Sequence, residues 1–138
     1  LDAQACLIAN RESLKKDPEV LTIATQLLEM IGAHLRGKQN VAVFANVRAN
    51  SHEEINERIK DKDVIRGLQG PTVSKILTRN GESFYALHIV VRKDQLHKAI
   101  GQLREIGGSG VVVTPVNFIF EEEPQEIINM MKALESVK

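Results

Sequence analysis

The sequence predicts an α+β fold: a sheet domain built as βαββαβ, with a strand and a long helix before it and a helix after it. Three observations predict this. Between residues 40 and 120, alternating apolar runs and helical stripes succeed one another as strand, helix, strand, strand, helix, strand. Asn80-Gly81, a dipeptide suited to positive φ, falls between the two adjacent strands as a hairpin signal. Before residue 37 a sustained helical stripe takes over, and the composition changes at Gly37-Lys38-Gln39-Asn40. The order of the six central elements is the ferredoxin-like, split βαβ pattern.

Residues 3–9, with Ala5-Cys6-Leu7-Ile8-Ala9 at their centre, read as a buried strand. Asp17 reads as an N-cap and Pro18 as the first helical residue. Val20, Leu21, Ala24, Leu27, Leu28, Ile31 and Leu35 recur at helical spacing, and Gly37 is expected to stop that helix. Residues 41–47 form a strand. Ser51-x-x-Glu54 is a capping box for a helix carrying Ile55 and Ile59. Residues 67–71 form a loop, and residues 73–79 and 84–91 the hairpin strands. Asp94 is expected to cap a helix with the stripe Leu96, Ala99, Ile100, Leu103 and Ile106; Gly107 ends it, and residues 111–114 are a strand. Glu121, Glu122, Glu123 and Pro124 open a last helix with Ile127, Ile128, Met131 and Leu134 on its apolar side. The expected division is 1–37, 40–120 and 121–138.

The sheet has an unusual pattern. In strand 84–91, Tyr85, Leu87, Ile89 and Val91 form one apolar face, and Phe84, Ala86, His88 and Val90 form another. Val41, Val43, Ala45 and Val47 likewise alternate with Ala42, Phe44 and Asn46. A ferredoxin-like sheet carries helices on one face, so the second apolar face needs cover. A second copy of the chain would supply it; so would the first or last helix of the same chain.

Composition narrows the partners. The 138 residues hold 18 Lys+Arg and 18 Asp+Glu, a formal charge of zero. That argues against nucleic acid or an anionic membrane, both of which demand a basic field, and it tolerates self-association. No apolar run approaches the roughly 20 residues that span a bilayer. Cys6 is the sole cysteine, so there is no disulfide framework and no thiolate metal site, which points to a reducing compartment. Within an apolar strand, Cys6 is expected to be an inert core residue. The chain lacks an initiator Met and opens directly in a strand-like run, which suggests a stretch of a longer protein.

Catalytic constellations are scarce. His34, His52, His88 and His97 lack metal-ligand spacing and read as surface or internally satisfied side chains. There is no phosphate-cradling G-x-x-x-x-G-K-[ST] loop and no G-x-G-x-x-G. Two glycine-containing loops are more informative: Leu68-Gln69-Gly70-Pro71-Thr72 and Gly107-Gly108-Ser109-Gly110. Glycine lets a backbone approach a ligand closely and adopt positive φ. A free amino acid, with an ammonium and a carboxylate, is bound by just such bare carbonyls and N–H groups, and the Thr72 hydroxyl both donates and accepts. The predicted strand order places residue 111 onward beside the strand from Val41, which brings Asn46 near Gly110. The candidate binding residues are Asn46, Leu68, Gly70, Thr72, Gly108, Ser109 and Gly110. The same glycines equally suit a tight turn and a helix stop, and the residues alone leave both readings open.

The loops also carry a resemblance. Gly67-Leu68-Gln69-Gly70-Pro71-Thr72-Val73-Ser74 is similar to a G-L-x-x-P-T-[IV]-x-P segment, and Ile106-Gly107-Gly108-Ser109-Gly110-Val111-Val112-Val113 to an I-G-[AG]-x-x-[IV]-L-V segment, of the ATP phosphoribosyltransferase family. The opening residues 1–9 resemble the strand after that family's phosphoribosyl-binding loop, so the likeness runs in order along the whole chain. Asn46-Val47-Arg48-x-Asn50-Ser51 and Phe118-Ile119-Phe120-Glu121-Glu122 resemble plant-type members most. Lys75 stands where the family often has proline, and Asn46 where some bacterial members have an acid.

The resemblance implies a hexameric, Mg2+-dependent enzyme that joins ATP to phosphoribosyl pyrophosphate at the first step of histidine biosynthesis. It implies L-histidine as allosteric feedback inhibitor, bound at the candidate residues above in a site shared between two subunits, one of which would bring in Leu68, Gly70 and Thr72. It implies a cytoplasmic location, or the plastid stroma in a plant-like source. Residues 1–37 would be the last strand and helix of the catalytic part, 40–120 the regulatory domain and 121–138 a helical tail. The family's pyrophosphate-binding loop is not in this sequence, so no catalytic residue is assigned; Mg2+ is expected for the parent enzyme and none for this stretch. The competing reading is a stand-alone ferredoxin-like small-molecule sensor or subunit-interaction module without catalysis. The strand at 3–9 separates the two, because a self-contained sensor has no use for it.

Overall fold

Period-two alternation becomes a four-stranded antiparallel sheet in the computed structural model, which describes residues 3–136. The elements in chain order are α1 (Arg11–Lys16), α2 (Pro18–Lys38), β1 (Asn40–Arg48), α3 (His52–Ile59), β2 (Thr72–Ile76), β3 (Phe84–Arg92), α4 (Leu96–Glu105), β4 (Gly108–Pro115) and α5 (Gln125–Glu135). The sheet order is β2-β3-β1-β4, the ferredoxin-like arrangement that the element order predicts. Two compact units result: Arg36–Asn117, and the residues up to Leu35 together with those from Phe118 onward.

In the sheet unit, alternation decides which side chains meet. Val41, Val43, Ala45 and Val47 of β1 and Tyr85, Leu87, Ile89 and Val91 of β3 face one side and are buried. Against them pack Ile55 and Ile59 of α3, Ala99 and Leu103 of α4, then Ile106, Val64 and Ile65. Each fully buried leucine or isoleucine here contributes about 1.5–3 kcal/mol relative to exposure. The opposite face keeps Phe44 42% and Val112 55% exposed.

Four local readings need correction. The strand expected at 73–79 ends at Ile76, and residues 77–83 form a longer loop around Asn80-Gly81. There the Thr78 hydroxyl donates to the Glu82 carbonyl at 2.5 Å, and Leu77 is 99% exposed. The Asp94 carboxylate does not cap a helix; it accepts from the Arg92 guanidinium at 2.6 Å, and a 3-10 turn over Lys93–Gln95 leads into α4. The last strand starts at Gly108, because Gly108 and Ser109 already pair with Val47 and Asn46 across a register shift in β1. Gly37 does not stop α2, which runs through Lys38.

The second unit differs more from expectation. Residues 3–10 carry no regular secondary structure and are exposed, Ile8 at 89%. Alternation alone cannot make a strand; its N–H and C=O groups need a neighbouring strand, and the described sheet has none for them. Cys6 is accordingly exposed rather than a core residue. The short helix α1 went unanticipated. Asn10 caps it, accepting from the Ser13 N–H at 3.1 Å. Asp17 caps α2 as expected, accepting from Glu19 and Val20 N–H groups at 2.9 and 3.3 Å. Along α2, Val20, Ile23, Leu27, Met30, Ile31 and Leu35 are all exposed. At Gly32 the helix meets the Glu126 side chain so closely that a Cβ would have no room beside its carboxylate.

Candidate functional site

The register sorts the seven candidate residues into two groups. Asn46 on β1 pairs with Ser109 on β4, and Val47 pairs with Gly108, so Asn46, Gly108, Ser109 and Gly110 share one corner of the sheet. The Ser109 hydroxyl donates to the Asn46 carbonyl at 3.4 Å. Gly110 has φ +59°, and a Cβ built on it would lie 3.7 Å from the Asn46 amide nitrogen. Asn46, Ser109 and Gly110 are exposed, so the corner offers a carboxamide, a hydroxyl and open backbone to solvent.

Leu68, Gly70 and Thr72 lie elsewhere. Thr72 starts β2 and pairs with His88, while Leu68 and Gly70 occupy the exposed loop just before it. β3 separates β2 from β1, and Asn46 lies two residues along β1 from Phe44, which is opposite Thr72 across His88, so Thr72 and Asn46 are roughly 12 Å apart. Within one chain the two groups do not close on a single small molecule. They do open toward the same face of the sheet, where the row Thr72, His88, Phe44, Val112 crosses all four strands. His88 and Phe44 stack in that row at 4.3 Å between ring centroids, with 1° between their planes.

The structure explains three of the glycines in part. Gly107 and Gly110 have φ +87° and +59°, the left-handed region that favours glycine. Gly108 has an internal reason: a Cβ there would stand 2.6 Å from the Leu103 carbonyl. Around Gly70, with φ +101°, nothing lies within 4 Å of an added Cβ, so its surroundings are open.

Beneath the corner lies a polar network absent from the candidate residues. Arg58 of α3 donates to the Arg48 carbonyl at 2.9 Å and the Ile106 carbonyl at 3.0 Å, and pairs with Glu54. Glu54 does not close its capping box on Ser51; it accepts from Asn50, one residue earlier, at 2.7 Å. Ser51 fulfils its own half by accepting from the Glu54 N–H at 3.2 Å. The Asn50 main-chain bond, and then the Arg58 charge, hold the Glu54 carboxyl below the usual carboxylate range. The Glu54-to-Arg58 spacing of one helical turn was the available signal for this pair; nothing local marked the carbonyls it reaches.

The family model described as HisG, C-terminal domain matches residues 37–118. This chain belongs to that family. All seven candidate residues fall inside the match. Among curated proteins, the chain is 41% and 40% identical over 127 residues to ATP phosphoribosyltransferase 2, chloroplastic, and ATP phosphoribosyltransferase 1, chloroplastic, of Arabidopsis thaliana; the alignment covers 89% of this chain and 31% of each relative. ATP phosphoribosyltransferase of Methanosarcina barkeri is 33% identical over 115 residues, 82% of this chain and 36% of that protein. The chain thus spans about a third of the length of these relatives. Among solved structures, Arabidopsis thaliana PII bound to citrate is 23% identical with a TM-score of 0.46, covering 62% of this chain and 82% of that one, a likeness too slight to bear on function.

The HisG C-terminal family assignment leaves the metal question to the residues themselves. Among the described residues, no three His, Cys, Asp or Glu side chains gather into a group that could hold a metal ion. Among the same residues, no helix is long and apolar enough to cross a membrane.

Proposed function

We propose that this chain is the regulatory C-terminal part of an ATP phosphoribosyltransferase and receives L-histidine as the feedback inhibitor of the first step of histidine biosynthesis. The observation that carries the reading is the HisG C-terminal match across the sheet unit, joined to relatives that are ATP phosphoribosyltransferases. The site is the Asn46, Gly108, Ser109, Gly110 corner of one subunit, completed by Leu68, Gly70 and Thr72 of another. Two exposed half-sites, too far apart to meet within one chain, support that division. A site whose polar groups are matched to an amino acid rejects an apolar isostere, because buried donors and acceptors would be left unpaired.

Inhibition then follows from linkage. Histidine bound between subunits favours one arrangement of the assembly, and differential affinity alone can shift such an equilibrium. The assembly in this proposal is a hexamer, the Mg2+ requirement belongs to residues outside this stretch, and the compartment is the plastid stroma, as in the chloroplastic relatives. Residues 1–37 close the catalytic part: the exposed α2 stripe packs on it, and residues 3–9 find there the strand partner they lack here.

The test uses the native-length protein, with calorimetric titration of L-histidine and turnover of ATP and phosphoribosyl pyrophosphate with and without it. Histidine uptake with suppressed turnover is expected. Absence of histidine binding would overturn the effector reading, and absence of turnover would favour a stand-alone sensor.

A further inference from the structure

The corner at 107–110 is held from behind by one side chain. Arg58 Nη1 donates to the carbonyl of Arg48, the last residue of β1, and to that of Ile106, the residue that ends α4. Its Nη2 donates to the Glu54 carboxylate, which is itself fixed by Asn50 through the main-chain N–H at 2.7 Å and the side-chain amide at 3.1 Å. Gly107, the residue after Ile106, would place a Cβ 3.7 Å from Arg58 Nη1. One planar fork thus joins α3, the end of β1 beside Asn46 and the turn that leads into Gly108, Ser109 and Gly110. A guanidinium suits this task because its donors are rigidly disposed, whereas an ammonium is a point charge on a flexible stem. Its position at the C-terminus of α4 also sets a cation against carbonyls that the helix leaves unpaired.

We propose that Arg58 is the positioning residue of the effector corner: it touches no ligand and holds the Ile106-Gly107 turn, which delivers the start of β4 to β1, in the shape that receives one. This rests on the effector reading above. Without the fork, Ile106 and Arg48 carbonyls turn to water, the turn samples other shapes, and histidine affinity is reduced by the fraction of competent conformers.

The test compares native-length wild type with Arg58→Met, Arg58→Lys and Gln102→Ala, by histidine calorimetry, thermal melting and hydrogen exchange of residues 107–110. Gln102 is the control: its side chain fastens α4 to residues 63–65 through Asp63 and the Val64 and Ile65 N–H groups and bonds to none of the corner residues. Arg58→Met is expected to bind histidine at least tenfold more weakly and to exchange faster at 107–110, and Arg58→Lys to stay weakened. Gln102→Ala should melt earlier yet keep wild-type affinity. Wild-type affinity in Arg58→Met, or an equal loss in Gln102→Ala, would overturn the proposal. If wild type itself takes up no histidine, the effector reading fails on its own account; exchange at 107–110 then decides whether Arg58 holds the turn, and an unchanged rate in Arg58→Met overturns it.

Discussion

Asp63 accepts from Lys98 Nζ at 2.6 Å and from the Gln102 amide at 2.5 Å, fastening residues 60–66 to α4. Those two hydrogen bonds hold its carboxyl down at about 2, against about 4 for an unconstrained aspartate. A depressed folded value means stability that is fully present above about pH 4 and lost as pH falls toward 2. The group is exposed, so salt screens the effect. Asp63→Asn should therefore melt below wild type at pH 7, with the gap closing between about pH 4 and pH 2; melting curves across that range check it, and a constant gap would mean the charge is irrelevant. Thr72 carries the other residue-scale prediction. It is exposed on an edge strand, and valine keeps its shape and suits a strand. Thr72→Val should leave the melting temperature near wild type and weaken histidine binding of the native-length protein by roughly 1–2 kcal/mol, the loss of one hydrogen bond. Unchanged calorimetric affinity would remove Thr72 from the site.

Between elements, the glycines separate into kinds that the sequence could not tell apart. A Cβ at Gly108 meets the backbone oxygen of Leu103 at 2.6 Å, so Gly108→Ala must push α4 away from β4. Overpacking of this sort costs about 1–3 kcal/mol. Gly70→Ala meets nothing and bears only the strain of its positive φ. Thermal melting should rank Gly108→Ala below Gly70→Ala; the reverse order would contradict the observed packing. The same contrast shows what was legible. Alternation in β1 and β3 and the stripes of α3 and α4 are local, and they place the core of the sheet unit correctly, whereas the α2 stripe marks a helix whose apolar residues stay exposed. Residues 3–9 alternate as a strand does, but alternation says nothing about a pairing partner, and the described sheet offers none. The six-residue α1 is too short for periodicity to show, although Asn10 signalled its cap. In the candidate site, the Asn46–Gly110 corner was legible from strand order, while the Arg58 fork depends on carbonyls 10 and 48 residues away.

For the whole molecule, the decisive surface is the sheet face without helices. Ala86 sits at its centre, in a row with Ser74 on one side and Asn46 and Ser109 on the other. Phe44 and Val112 remain exposed there, the Phe44–His88 stack lies one row away, and the chain has no net charge to keep copies apart. If this face joins subunits, a carboxylate at 86 is carried into the contact, costing several kcal/mol unless a cation meets it. If the face is free, the same carboxylate stays in water and costs little. Ala86→Glu in the native-length protein should therefore lower the molar mass measured by light scattering, while circular dichroism stays that of the folded chain. It should also lose histidine binding without any change to the seven candidate residues, because a site divided between subunits disappears when they part. An unchanged mass across a hundredfold dilution would show that this face is not the contact, and Leu68, Gly70 and Thr72 would then have no route to the Asn46 corner.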